Sequence, residues 1–232
     1  MLAAHLTVPD PADPAARAAW AADCGLAAAL EAVGYAVSPD VVRRAGEAGA
    51  RAAGAKGVAL TVEVDRLRDG GGLEKSELVR LWIDGRTDGH PFRAARTTIV
   101  GYDTLPDQIA LGHEALRALR VAMSVLRTGG DRQDLRLAGL SVLQSAGWTE
   151  AGNEVVTGRL DPIGLLDERA ESTAPDLLTA GEVLWIGVKT RASVAGATEA
   201  GGRSHAIHLA EMVRVGADGP DVLTRLSRRL WL

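Results

Sequence analysis

Apolar and polar residues alternate with period two over two early stretches of the chain. Val58, Leu60, Val62 and Val64 interleave with Ala59, Thr61, Glu63 and Asp65. Val79, Leu81 and Ile83 interleave with Arg80, Trp82 and Asp84. Alternation places one set of side chains on each face, so each stretch predicts a half-buried strand. Asp69-Gly70-Gly71-Gly72 separates the two as a turn, and Asp84-Gly85 ends the second. A loop containing Asp88-Gly89-His90-Pro91 leads to a third strand expected over Thr97–Tyr102.

The period then changes to that of a helix. Between Pro106 and Gly129, Ile109, Leu116, Leu119, Met123 and Leu126 fall on one stripe, with Arg117, Arg120, Ser124 and Arg127 opposite. Thr104 and Asp107 frame its start as a capping-box-like pair, and Gly129-Gly130 stops it. Upstream, the stiff leader Pro9-Asp10-Pro11-Ala12-Asp13-Pro14 ends in an N-cap aspartate followed by a first-turn proline. The Ala-rich helix after it directs Trp20, Cys24, Leu26, Leu30 and Val33 inward and closes at Gly34. Ser38-Pro39 starts another helix through Val41, Val42 and Ala45, weakened by Gly46, Gly49 and Gly54.

Further strands are expected at 135–144 and 154–160, around a Gly147-Trp148 turn. The polar stretch 161–181 has room for a short helix near Leu165. Val183–Val188 reads as a buried strand, Thr190–Gly202 as a small-residue loop and Ile207–Val215 as a last strand. Asp218-Gly219-Pro220 opens a terminal helix with Leu223, Leu226 and Leu230 inward and Arg225, Arg228 and Arg229 outward. Runs of strands between helices, joined by short turns, predict an α+β fold. Its parts are a mostly antiparallel mixed sheet, a long packed helix and an N-terminal helical pair. The expected division is a helical segment over 1–57 and an α+β unit over 58–232, forming one compact body.

Composition narrows the function classes. The chain has 232 residues, 47% of them hydrophobic but only 3% aromatic, with five Trp and one Phe, so the core is aliphatic. The net charge of −4 argues against nonspecific nucleic-acid binding, which draws on Lys and Arg. Cys24 is the single cysteine, which rules out an intrachain disulfide and a cysteine-only metal site. The N-terminus lacks a basic region followed by an apolar run, and no stretch is long and apolar enough to span a bilayer. The expected location is the cytoplasm, or a virion or particle assembled there.

Candidate chemistry is sparse. Gly196-Ala197-Thr198-Glu199-Ala200-Gly201-Gly202-Arg203-Ser204 has the glycines of a phosphate loop, but Gly202 stands where the lysine is needed. His205 and His208 lie three apart; a strand splays them, whereas a helix would align them with Glu211. No cofactor and no metal are expected. Ser141, Ser145, His113 and Asp103 form no nucleophile elbow, and Cys24 sits on an apolar helix face. Residues 26–45 have the outline of a helix-turn-helix, but Arg43 and Arg44 are offset by Asp40 and Glu47. Two groupings remain. Arg191, Arg203, Arg225, Arg228, Arg229 and Trp231 are candidate partner-binding residues. His90, Arg191, Arg203 and His205 would line a pocket if the loops at 86–92 and 190–204 converge.

The stretch from strand 97–102 through helix 107–128 to Leu135-Arg136-Leu137-Ala138-Gly139-Leu140 and strand Glu154–Leu160 resembles the sheet-and-helix core of phage tail terminator and tail-completion proteins. The resemblance covers about a third of the chain and rests on element order. It implies a non-catalytic structural or assembly subunit with ring-like homo-oligomeric contacts, in a phage tail or tail-like particle, whose partners are copies of itself and other protein subunits. The alternative is an enzyme with its pocket near loops 86–92 and 190–204.

Overall fold

A computed structural model describes residues 2–101, 103–148, 153–160, 176–193 and 204–228. The first long helix, α1 (Pro14–Ala32), begins as its sequence dictates. The Asp13 carboxylate accepts the Ala16 N–H at 3.0 Å, and Pro14 occupies the first turn. Helix α2 (Pro39–Ala52) is capped by Ser38 in the same way.

The two helices pack through their smallest residues. A Cβ on Gly25 would lie 2.9 Å from the Ala50 Cβ, and one on Gly49 would lie 2.8 Å from the Cys24 carbonyl oxygen. Gly46 and Gly49 therefore do more than weaken α2; they let the two backbones approach. The buried face of α1 is made of Ala18, Ala19, Ala22 and Leu26, while Trp20 and Cys24 are half-buried.

Strands β1 (Lys56–Val64), β2 (Leu78–Thr87) and β3 (His90–Ile99) follow, then helices α3 (Pro106–Ser124) and α4 (Arg132–Ser145). Strands β4 (Glu154–Arg159), β5 (Val183–Ser193), β6 (Ser204–Val215) and β7 (Pro220–Val222) complete the order. They form one seven-stranded sheet in the order β1-β2-β3-β6-β5-β4, with β7 on β6, and all the pairings are antiparallel. The expected α+β class, with its antiparallel sheet, long packed helix and N-terminal helical pair, is what is observed. Among the described residues no helix is long and apolar enough to cross a membrane.

Register shows that the helices share one face. Leu81 pairs with Arg96 and Ile186 with Glu211, and Arg96 bonds Glu211, so all four side chains lie on the same side of the sheet. Leu81 and Ile83 belong to the apolar cluster under α1 and α2, and Ile186 and Leu209 to the cluster under α3 and α4. The opposite, helix-free face carries Arg80, Trp82 and Asp84, with Arg93, Ala95, Trp185, Gly187, Lys189, His208 and Ala210 beside them.

Several expectations need correction. Residues 135–144 lie in α4, not a strand. Asp131 caps it by accepting the Gln133 N–H at 2.9 Å, and Leu135, Gly139 and Leu143 are buried at helical spacing. Strand β3 begins at His90, because Asp88 and Gly89, both at positive φ (51° and 84°), close a tight hairpin with β2. Helix α3 is not framed by Thr104 and Asp107: the Leu105 N–H donates to Gln108 Oε1 at 2.9 Å. Residues 220–228 are β7 and then irregular chain, not a helix. The Leu223 N–H donates to the Met212 carbonyl at 2.9 Å, and the N–H groups of Arg225 and Leu226 donate to the Asp23 carboxylate. The short helix expected near Leu165 lies outside the described residues.

Candidate functional site

The helix-free face gathers aromatic and charged side chains from six strands, β1 to β6. Trp82 on β2 and Trp185 on β5 meet edge to face, ring centroids 5.5 Å apart. Between them lies Arg93 of β3, its guanidinium carbon 5.4 Å from the Trp82 centroid and 5.0 Å from that of Trp185. Arg93 Nε also donates to Asp84 Oδ1 at 2.5 Å, and the two residues are direct register partners. Lys189 sits 5.7 Å from the Trp82 ring and ion-pairs with Glu154 at 3.4 Å. On the edge side, Arg80 holds Glu63 and Asp65 at 3.4 and 3.0 Å.

Glycine makes room for this cluster. A Cβ on Gly158 would fall 2.2 Å from Trp185 Nε1, and one on Gly187 would fall 3.1 Å from Trp185 Cζ3. The indole therefore lies flat over two glycines, with Ala210 beside Gly187 across the β5–β6 pair. Its buried Nε1 has no hydrogen-bond partner among the described residues. His208, centroid 6.5 Å from Trp82, is pushed down to about 4 by burial, with Arg80, Lys189 and Arg191 acting in the same sense against Glu63. It is a neutral imidazole at physiological pH.

The helix-covered face holds a buried ionic network. Glu211, wholly buried, accepts from Arg96 Nη2 at 3.1 Å, from Thr224 and from Arg228. Asp23 on α1, also buried, is pushed up to about 6, chiefly by burial and secondarily by Glu211, against Arg96 and the two N–H donors. A raised carboxylate contributes stability that is complete below its unfolded value of 3.8 and lost as pH rises through about 6. A shift of this size corresponds to about 3 kcal/mol. Asp23→Asn, neutral throughout, is expected to remove that loss. Urea midpoints of both proteins from about pH 4 to 7 check it, and parallel curves would disprove the assignment.

Two cavities lie away from the tryptophan cluster. One, of about 520 Å³, is bounded by the N-terminal arm, α1 and the chain near Asp221–Arg225. The other, of about 670 Å³, is lined by His90, Arg159 and Arg214, whose partners Glu182 and Asp13 already neutralise the two arginines. The Arg214 guanidinium holds the Asp13 carboxyl below the usual carboxylate range.

The residues singled out from sequence are scattered. His90 is at the start of β3, and the Ala95–Ala210 register sets it level with Val215. His205 is ten residues back along β6, roughly 33 Å away at strand rise, and buried toward the helices. The described ends of the two loops, at His90 and His205, thus lie far apart along the sheet; residues 194–203 lie outside the described residues. Arg191 is exposed, and its N–H donates to Asn153 Oδ1 at 2.7 Å. Arg203, Arg229, Trp231 and most of the Gly196–Ser204 loop lie outside the described residues. Arg225 is exposed beside Asp221, whereas Arg228 is spent on Glu211. His205 and His208 point to opposite faces of β6, and Glu211 points to the helices with Arg96. Ser141 and Ser145 donate to carbonyls of their own helix. Burial pushes the Cys24 thiol up to about 11, so it is an inert core thiol. Arg43 and Arg44 pair with Asp40 and Glu47.

Sequence reasoning passed over Trp82, Trp185, Arg93 and Lys189. The available signal was the polar and aromatic set Arg80, Trp82, Asp84 on one face of a strand whose other face carries Val79, Leu81 and Ile83.

An antiparallel sheet with two helical pairs on one face is the arrangement of the pita-bread fold found in prolidase and X-Pro dipeptidase. The chain is similar to a prolidase from Pyrococcus horikoshii (TM-score 0.79, 17% identity, 96% of this chain and 65% of that one). It is similar to an X-Pro aminopeptidase from Thermotoga maritima (0.79, 15%, 97% and 64%) and to a dipeptidase from Mycobacterium ulcerans (0.79, 20%, 100% and 63%). The chain thus spans 63–65% of the length of these proteins. No family model and no curated protein matches the sequence. These likenesses overturn the resemblance to tail terminator proteins, and with it the non-catalytic assembly subunit of a virion or tail. The segment Leu135–Leu140 on which that resemblance leaned is helical.

The neighbours' family is one of metallopeptidases, so the donor set needs testing against a metal. A divalent ion of hydrolytic type needs several converging carboxylates or imidazoles. Among the described residues at the centre of the helix-free face Asp84 is the one carboxylate, and it is tied to Arg93; Ala95, Gly187 and Ala210 supply no donor. Among the described residues no three His, Cys, Asp or Glu side chains are placed to hold a metal ion. The residues do not fit the group.

Proposed function

We propose that this chain is a peptide-recognising protein of the enzyme class its architecture suggests, and that the Trp82–Trp185–Arg93 cluster is where the peptide rests. The observation that carries the reading is that the likeness to proteins titled prolidase, X-Pro aminopeptidase and dipeptidase runs through 96–100% of this chain. The side chains at the cluster suit the same chemistry. A proline ring is compact and apolar and packs on an indole face, as in aromatic-lined grooves that take proline-rich segments; Trp82 is half-buried and offers such a face, while Trp185, 2% exposed, supports it edge to face. Lys189, partly exposed beside Trp82, offers a charge for a terminal carboxylate.

Titration with an Xaa-Pro dipeptide, followed by tryptophan fluorescence and calorimetry, tests this. Saturable binding is expected, weakened about tenfold or more in Trp82→Ala, the loss of one aromatic contact being worth about 1.4 kcal/mol. Absence of binding by proline-containing and proline-free dipeptides alike would sink the reading.

A further inference from the structure

Resting on that reading, we infer that the site works without a divalent metal, and that the Arg93 guanidinium is its built-in cation. Asp84 is the carboxylate at the centre of this face among the described residues. Its Oδ1 is 2.5 Å from Arg93 Nε, and Arg93 is its direct partner across β2–β3. The guanidinium is held there twice over, by the carboxylate and by the indole faces of Trp82 and Trp185 at 5.4 and 5.0 Å. To bind an ion through Oδ1, Asp84 would have to release a partner that two indoles also hold in place.

The surroundings supply nothing to replace it. The adjoining positions on β3, β5 and β6 are Ala95, Gly187 and Ala210. The ring of Trp185 fills the space in which a longer side chain at 187 would stand. The one imidazole on this face, that of His208, has Arg80, Lys189 and Arg191 around it, and Glu63 facing it is shared with Arg80. Cations crowd the place a metal would take, so like charge opposes its entry. It follows that the chain cannot activate a water on a metal at this site, and that it holds its peptide by stacking and charge.

The test uses the whole chain. Elemental analysis after purification, and thermal unfolding with Mn²⁺, Co²⁺ or Zn²⁺, should show less than about one-tenth of an equivalent bound and no change in Tm. An ion bound well below its working concentration would raise Tm by roughly 5 °C or more. Binding of one or two equivalents, lost in Asp84→Asn, would overturn the inference, as would dipeptide hydrolysis abolished by a chelator. Arg93→Asp places a second carboxylate opposite Asp84. A Tm rise with Mn²⁺ in this variant alone is expected, and a folded variant that stays indifferent to metal would refute the role given to Arg93. Peptide binding unaffected by chelator agrees with the inference. No peptide binding together with no metal would discard the peptide reading while leaving metal independence standing.

Discussion

Replacing Arg96 by alanine is expected to lower the free energy of unfolding by about 3–5 kcal/mol, the largest effect of any single substitution considered. Arg96 is 1% exposed. Its guanidinium donates to the carbonyls of Ala210 at 2.8 Å, Leu226 at 2.9 Å and Ser227 at 3.1 Å, and to Glu211 Oε2 at 3.1 Å. Truncation leaves Glu211 charged and wholly buried, with Arg228 as its remaining basic partner. It also frees four carbonyls, that of Ala95 at 2.8 Å among them, two of the four in the segment after Thr224. Urea denaturation gives the number. A reduced m-value would add that this segment has come loose. A midpoint equivalent to less than about 1 kcal/mol of loss would mean the network is not a structural one.

Leu119→Ala in α3 is expected to cost about 2–5 kcal/mol. Leu119 is wholly buried in the cluster that α3 and α4 form with Leu184, Ile186 and Leu209. Its neighbour Arg120 is exposed, and Arg120→Ala should stay within about 0.5 kcal/mol. Comparable midpoints for the two variants would show the face of α3 to be inverted.

The sequence disclosed the elements whose local chemistry is self-contained. Asp13-Pro14 and Ser38-Pro39 start helices because the cap and the proline act within one turn. β1 and β2 follow their alternation because one face is buried under α1 and α2. Leu135, Leu137 and Leu140 misled because a leucine on either side of Arg136 mimics period two, whereas the positions that bury are 135, 139 and 143. The middle one is a glycine, which carries no hydrophobic signal; its place is set by α3, since a Cβ there would lie 3.1 Å from the Ala118 carbonyl. Leu223 and Leu226 have helical spacing, but their N–H groups are claimed by Met212 and Asp23, and distant partners overrode local preference. The site was hidden for a related reason. Trp82, Arg93, Trp185, Lys189 and His208 belong to four strands and come together through register alone, and nothing in the spacing of one strand foretells what the next will bring beside it.

The clamp between α1 and the segment at 224–228 also governs when the chain can become itself. Asp23 and the amides that satisfy it are 202 and 203 residues apart. At a translation speed of about 5–20 residues per second, roughly 10–40 s pass before a ribosome that has made the first supplies the second. During that interval the nascent polypeptide carries an alanine-surfaced helix, and later an open strand edge, with no means of closing them. The segment at 224–228 acts as a fastener, and a message cut short before its codons would yield a product whose buried charges stay unanswered. Such a product is a natural substrate for chaperones and proteases.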